Sequence, residues 1–95
     1  MSVQHRSLPR VNPDVVWTPV TDGAVLFSVS QELYYGANAV AAFVWQELPT
    51  HASFDALCAV VTLRFPDAPF EQVRSDVAEL LEDFERHGLV VGAAA

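Results

Sequence analysis

The chain has 95 residues, 52% hydrophobic and 18% charged, which is the composition of one packed domain and excludes a disordered tail. Five arginines against twelve carboxylates give a net charge of −7, a balance that repels phosphate backbones and anionic lipid. It suits neutral or basic partners.

Residues 1–13 hold Pro9 and Pro13 with few apolar residues, and read as a flexible N-terminal arm. There is no basic stretch leading into an apolar run, and no run approaches the ~18 apolar residues of a membrane span. A cytoplasmic protein with no signal peptide is the expectation. The folded domain is expected over residues 14–91, with residues 92–95 (Gly-Ala-Ala-Ala) as a disordered tail.

From Asp14 to Ala37 the apolar residues recur with period two, the spacing of strands. Val15 to Thr18 reads as a first strand. Asp22-Gly23 then supplies a hairpin turn, since glycine tolerates positive φ. Val25, Phe27 and Val29 follow as one face of a second strand. Ser30-Gln31-Glu32 turns the chain again, and Leu33-Tyr34-Tyr35 begins a short third strand.

After Gly36 the period becomes that of a helix. Asn38 is a candidate N-cap for a helix over residues 39–48, which Pro49 stops. Ser53 caps a second helix, whose stripe is Phe54, Leu57, Cys58, Val61 and Phe65. The third helix runs from about Pro69 to His87 with the stripe Phe70, Val73, Val77, Leu80, Leu81 and Phe84, and Gly88 caps it. Leu89-Val90-Val91 packs back or adds a short strand. The fold class is α+β: a small winged-helix-like domain with a three-stranded antiparallel meander followed by three α-helices.

The residue types that carry chemistry are poorly arranged for it. The single cysteine, Cys58, cannot close an internal disulfide, and it sits mid-stripe as a small core residue, not beside a base. His5, His51 and His87 are not at metal-ligand spacing, so neither a metal nor a cofactor is expected. Glu71, Asp76, Glu79, Glu82, Asp83 and Glu85 make a solvated face on the third helix, part of which can attract a basic peptide. No glycine-rich phosphate loop is present, and no catalytic residue is expected.

The third strand is more suggestive. Adjacent residues on a strand point to opposite faces, so only one of Tyr34 and Tyr35 can join the core. As the last strand of a meander it has unpaired N–H and C=O groups, with no proline or lysine to block pairing. Such an edge is a template for strand addition by a peptide.

The run Leu33-Tyr34-Tyr35-Gly36-Ala37-Asn38, followed by Ala42, Val44-Trp45 and Leu48, resembles the Y-x-L-N…A-x-x-(I/V)-W-x-x-L segment of PqqD-like proteins. Val73, Asp76-Val77 and Leu80-Leu81, with Gly88-Leu89-Val90 beyond, are similar to that family's last helix and its exit. Ala37 stands where the family usually has leucine, and Pro49-Thr50-His51 lacks the Asp-Gly turn of the pyrroloquinoline quinone members. The resemblance implies a non-catalytic recognition element that binds the leader of a ribosomally made precursor peptide. It implies strand addition at Leu33, Tyr34 and Tyr35, with Arg74, Val77, Ala78 and Leu81 as the helix wall. The partners it implies are the precursor leader peptide, a transglutaminase-like leader peptidase and a macrocyclase, as in lasso-peptide biosynthesis. Within the same family the alternative is a PqqD-type chaperone for a radical-SAM peptide-modifying enzyme. A winged-helix DNA-binding regulator is the rival from another class, and the third helix argues against it with Arg74 and Arg86 facing six carboxylates. An acidic carrier protein would be all-helical, which the β-rich first third opposes.

Overall fold

The computed structural model describes residues 8–92. A two-residue strand β1 (Arg10–Val11) precedes the meander β2 (Val15–Val20), β3 (Gly23–Ser28) and β4 (Leu33–Asn38). Helix α1 (Ala39–Glu47), a 3₁₀ turn (Leu48–Thr50), α2 (Phe54–Arg64), α3 (Phe70–Arg86) and the short β5 (Val90–Val91) complete it. The meander is an antiparallel sheet in the order β2-β3-β4, and β1 pairs separately with β5.

Each element has a local cause. Val20 pairs with Gly23, so a two-residue loop closes the first hairpin. The glycine is there for space, not for positive φ. A Cβ on Gly23 would press into the carbonyl oxygen of Ala37 on β4, whereas positive φ among the described glycines belongs to Gly88. β2 runs through Pro19, which an edge strand tolerates because its missing N–H costs no ladder bond. Asn38 ends β4 and caps α1 at once, its Oδ1 accepting from the Ala41 N–H at 2.9 Å. Ser53 Oγ does the same for α2, accepting from Ala56 N–H at 3.1 Å. Past α3, Gly88 takes φ of 71°, with Gly88 N–H donating to Glu85 and Leu89 N–H to Phe84, the paired bonds of a left-handed helix cap.

The helices cover one face of the sheet. That face is Ala24, Leu26 and Ser28 of β3 with Leu33, Tyr35 and Ala37 of β4. Val25 and Phe27 share the opposite face, as the alternation predicts, while Val29 falls in the β3–β4 turn. On α3 the buried stripe is Val73, Val77, Leu81 and Phe84; Phe70 is exposed and Leu80 only half-buried. Phe84 is the key of this core. It meets Trp45 of α1 edge-on at 5.5 Å and Tyr35 of β4 at 5.9 Å between ring centroids.

The N-terminal boundary differs from expectation. Residues 8–13 belong to the fold: Arg10–Val11 pairs with Val90–Val91, and Leu8 and Val11 pack on the core. Asn12 ties the two ends together, its N–H donating to Leu89 O at 2.9 Å and its Nδ2 to Gly88 O at 3.0 Å. Short polar-looking segments of this kind gain order from tertiary pairing that no local pattern reveals. Residues 1–7, including His5, and residues 93–95 lie outside the described chain.

Because Phe84 joins α1, α3 and β4, Phe84→Ala should cost about 3–5 kcal/mol in urea unfolding, most of what a small domain can lose. A loss below ~1 kcal/mol would show that α3 is not keyed to the sheet through this ring.

Candidate functional site

β4 pairs with β3 on one side only, and among the described residues no strand covers the other. Its outer edge therefore presents free backbone N–H and C=O groups along Leu33–Asn38. The cause is in the chain path. Ala39 starts α1 directly after Asn38, and β5, the later strand among the described residues, pairs with β1 and not with β4.

The strand's side chains alternate. Tyr34 is on the outer face, 75% exposed, its ring tilted 38° against that of Phe27 with centroids 4.6 Å apart. Tyr35 points inward, wedged edge-on between Phe84 and His87. Burial raises its phenol above the ordinary value, and the nearby Asp83 carboxylate raises it further. Leu33 is 59% exposed at the strand's start.

Along α3, Asp76, Leu80, Asp83 and His87 follow at steps of four, three and four, and so form one flank of the helix. Tyr35 against His87 shows that this flank faces β4. Between this flank and the β4–α1 junction lies a cavity of about 270 Å³ lined by Asn38, Val40, Asp76, Glu79, Leu80 and Asp83. The unpaired strand edge runs up to this cavity at Asn38, and the two make one candidate groove. It has an apolar floor of Val40 and Leu80 and a carboxylate rim.

The residues expected at the site divide sharply. Leu33, Tyr34 and Tyr35 are on the open edge. On α3, Val77 (0% exposed) and Leu81 (2%) are core residues with no surface to offer. Arg74 is on the opposite flank, its Nη1 donating to Asp55 Oδ1 of α2 and its guanidinium over the Phe54 ring. Ala78, one turn further on, is half-buried on that same α2 side. None of the four lines the cavity. The residues that do are Asp76, Glu79, Leu80 and Asp83, which sequence reasoning assigned to the solvated face or the core stripe. The wheel gives two flanks of equal standing, and only the packing of α3 decides which meets β4.

Chemistry elsewhere is sparse. Cys58 is buried, and burial pushes its thiol up to about 11, the opposite of an activated nucleophile. His51 bonds Glu47 at 3.0 Å across one helical turn. Among the described residues no three His, Cys, Asp or Glu side chains are placed to hold a metal ion, and no helix is long and apolar enough to cross a membrane.

A family profile described as Coenzyme PQQ synthesis protein D (PqqD) matches residues 23–90, from the start of β3 to β5. The chain belongs to the PqqD family. Two solved structures share the fold of this PqqD-family domain. TbiB1 in complex with the TbiA(beta) leader peptide superposes with a TM-score of 0.79 at 20% identity, over 90% of this chain and 99% of that one. A lasso peptide synthetase B1 complexed with the leader peptide gives 0.76 at 21% identity, over 86% and 95%. No curated protein matches.

The raised thiol predicts that Cys58 in the native domain resists a disulfide reagent at pH 8 and reacts only on unfolding. The group titrates higher folded than unfolded, so its contribution to stability is intact below pH 9 and is lost as pH rises toward about 11. Fast stoichiometric labelling of the native domain at pH 8 would contradict the buried assignment.

Proposed function

We propose that this domain binds the leader region of a ribosomally synthesised precursor peptide by adding it as a strand to β4. The observation that carries the reading is the free outer edge of β4 lying beside the α3 flank. Backbone hydrogen bonds to that edge give affinity, and side chains alternating into the groove give selectivity. The two structures of similar fold, each holding a leader peptide, support the same reading.

The domain acts without catalysis of its own. Its one thiol is buried with a raised pKa, and the three carboxylates at the groove, Asp76, Glu79 and Asp83, form a rim and not a pair with separated roles. It serves in the cytoplasm, presenting the bound precursor to a transglutaminase-like leader peptidase and then a macrocyclase, as in lasso-peptide biosynthesis. The PqqD family match gives standing to a second reading, a chaperone presenting its peptide to a radical-SAM enzyme. Both readings use the same groove. A DNA-binding role is disfavoured, since Arg74 of α3 is tied to Asp55 and the exposed helix surface is acidic.

The labelled leader of the cognate precursor should bind with a micromolar or tighter Kd, on the order of −8 kcal/mol. N-methylating alternate leader amides should abolish binding in one register and spare it in the other. Leu80→Glu, at the groove floor, should weaken binding by roughly 1–3 kcal/mol with little change in melting. Leu81→Glu would instead bury a carboxylate in the core and report on folding. Equal binding of a scrambled leader would defeat the reading.

A further inference from the structure

The groove beside β4 is electrically one-sided. Asp76, Glu79 and Asp83 stand over a floor of Val40 and Leu80. Asp83 has a partner in Arg86, whose exposed Nη1 donates to its Oδ1 at 2.6 Å. Asp76 accepts only from the neutral Gln72 amide at 2.9 Å, and among the described residues neither it nor Glu79 is paired with a cation. The Asn38 side chain is already engaged in capping α1. Three carboxylates and one surface arginine leave the rim negative.

Register places this rim against a particular ligand position. Leu33, Tyr35 and Ala37 point to the helix side of the sheet, and residues directly opposite in an antiparallel pair share a face. A strand added to β4 thus directs the residues opposite these three toward α3. Beside Leu33 and Tyr35 the bulk of Tyr35 and His87 fills the space. Beside Ala37 the strand side chain is a single methyl, and the neighbouring Asn38 and Val40 line the cavity.

We propose that the groove selects a leader strand carrying an arginine or lysine at the position opposite Ala37. This rests on the strand-addition reading and names the ligand chemistry of that site. The aliphatic stem lies on Val40 and Leu80, and the cationic head reaches Asp76 and Glu79, which have no cation of their own. The same rim rejects acidic strands. It also disfavours a second copy of this chain at β4, because two-fold edge pairing would bring two such rims together. The acidic flank thereby keeps an unguarded edge free for its ligand.

The test is a phage-displayed library of random peptides panned against the full chain at physiological ionic strength. Peptides whose synthetic forms lose binding on alternate N-methylation, and so use the strand edge, should carry Arg or Lys at one fixed position. A selected peptide should bind roughly three- to tenfold more weakly to the Asp76→Asn/Glu79→Gln double variant. Panning Asp76→Lys/Glu79→Lys should recover Asp or Glu at that position instead. Both variants alter exposed or half-buried side chains, so each should melt with the parent. Edge-dependent peptides with no basic preference would overturn this proposal and leave strand addition standing. The absence of any edge-dependent peptide would overturn both.

Discussion

The seating of α3 on the inner face of the sheet is the constraint on which the rest depends. Val73, Val77, Leu81 and Phe84 are spent on the core, and Phe84 fixes the helix against both Trp45 and Tyr35. With that stripe committed, the helix has no freedom about its axis. One flank must face α2, where Arg74 meets Asp55, and the other must face β4. The groove is therefore a by-product of core packing, held open by residues buried beneath it. Helix flank and strand edge are both fixed by that packing, so a peptide added there would meet a preorganised surface.

Two further features keep that groove available. The chain turns from β4 into α1 with no intervening loop, which leaves the sheet unclosed. The Schellman-type exit of α3 at Gly88 then directs Leu89 and Val90 back into the core, where β5 meets β1. The two ends of the described chain are thereby stitched together through β1 and β5, which leaves neither strand paired with β4. A domain of this size has a small stability margin, and here the buried apolar residues form one core cluster.

The order and type of the main elements were legible because each had a local signal: alternation at Val15–Tyr35, caps at Asn38 and Ser53, and Gly88 as terminator. The open edge was legible too, from the position of Leu33–Asn38 at the end of a meander. Three things were not. β1 and β5 are two-residue strands that exist only because the chain ends meet. Gly23 signalled a turn, but its necessity comes from the Ala37 carbonyl across the sheet. The helix wall was read onto Arg74, Val77, Ala78 and Leu81, because a helical wheel cannot tell which flank of α3 the sheet will meet. Leu80, assigned to the core stripe, and Asp76, assigned to solvent, are instead neighbours at the groove.

The central claim is that the ligand's backbone pairs with the outer edge of β4. Amide hydrogen exchange of the full chain, with and without leader peptide, tests this most directly because it reads the edge itself. Leader binding should slow exchange at alternate amides of Leu33–Asn38, those whose N–H groups point away from β3, with the β3-directed amides already protected. Unchanged exchange along β4, with new protection elsewhere such as the hollow between Trp17, Phe43 and Arg64, would contradict the account.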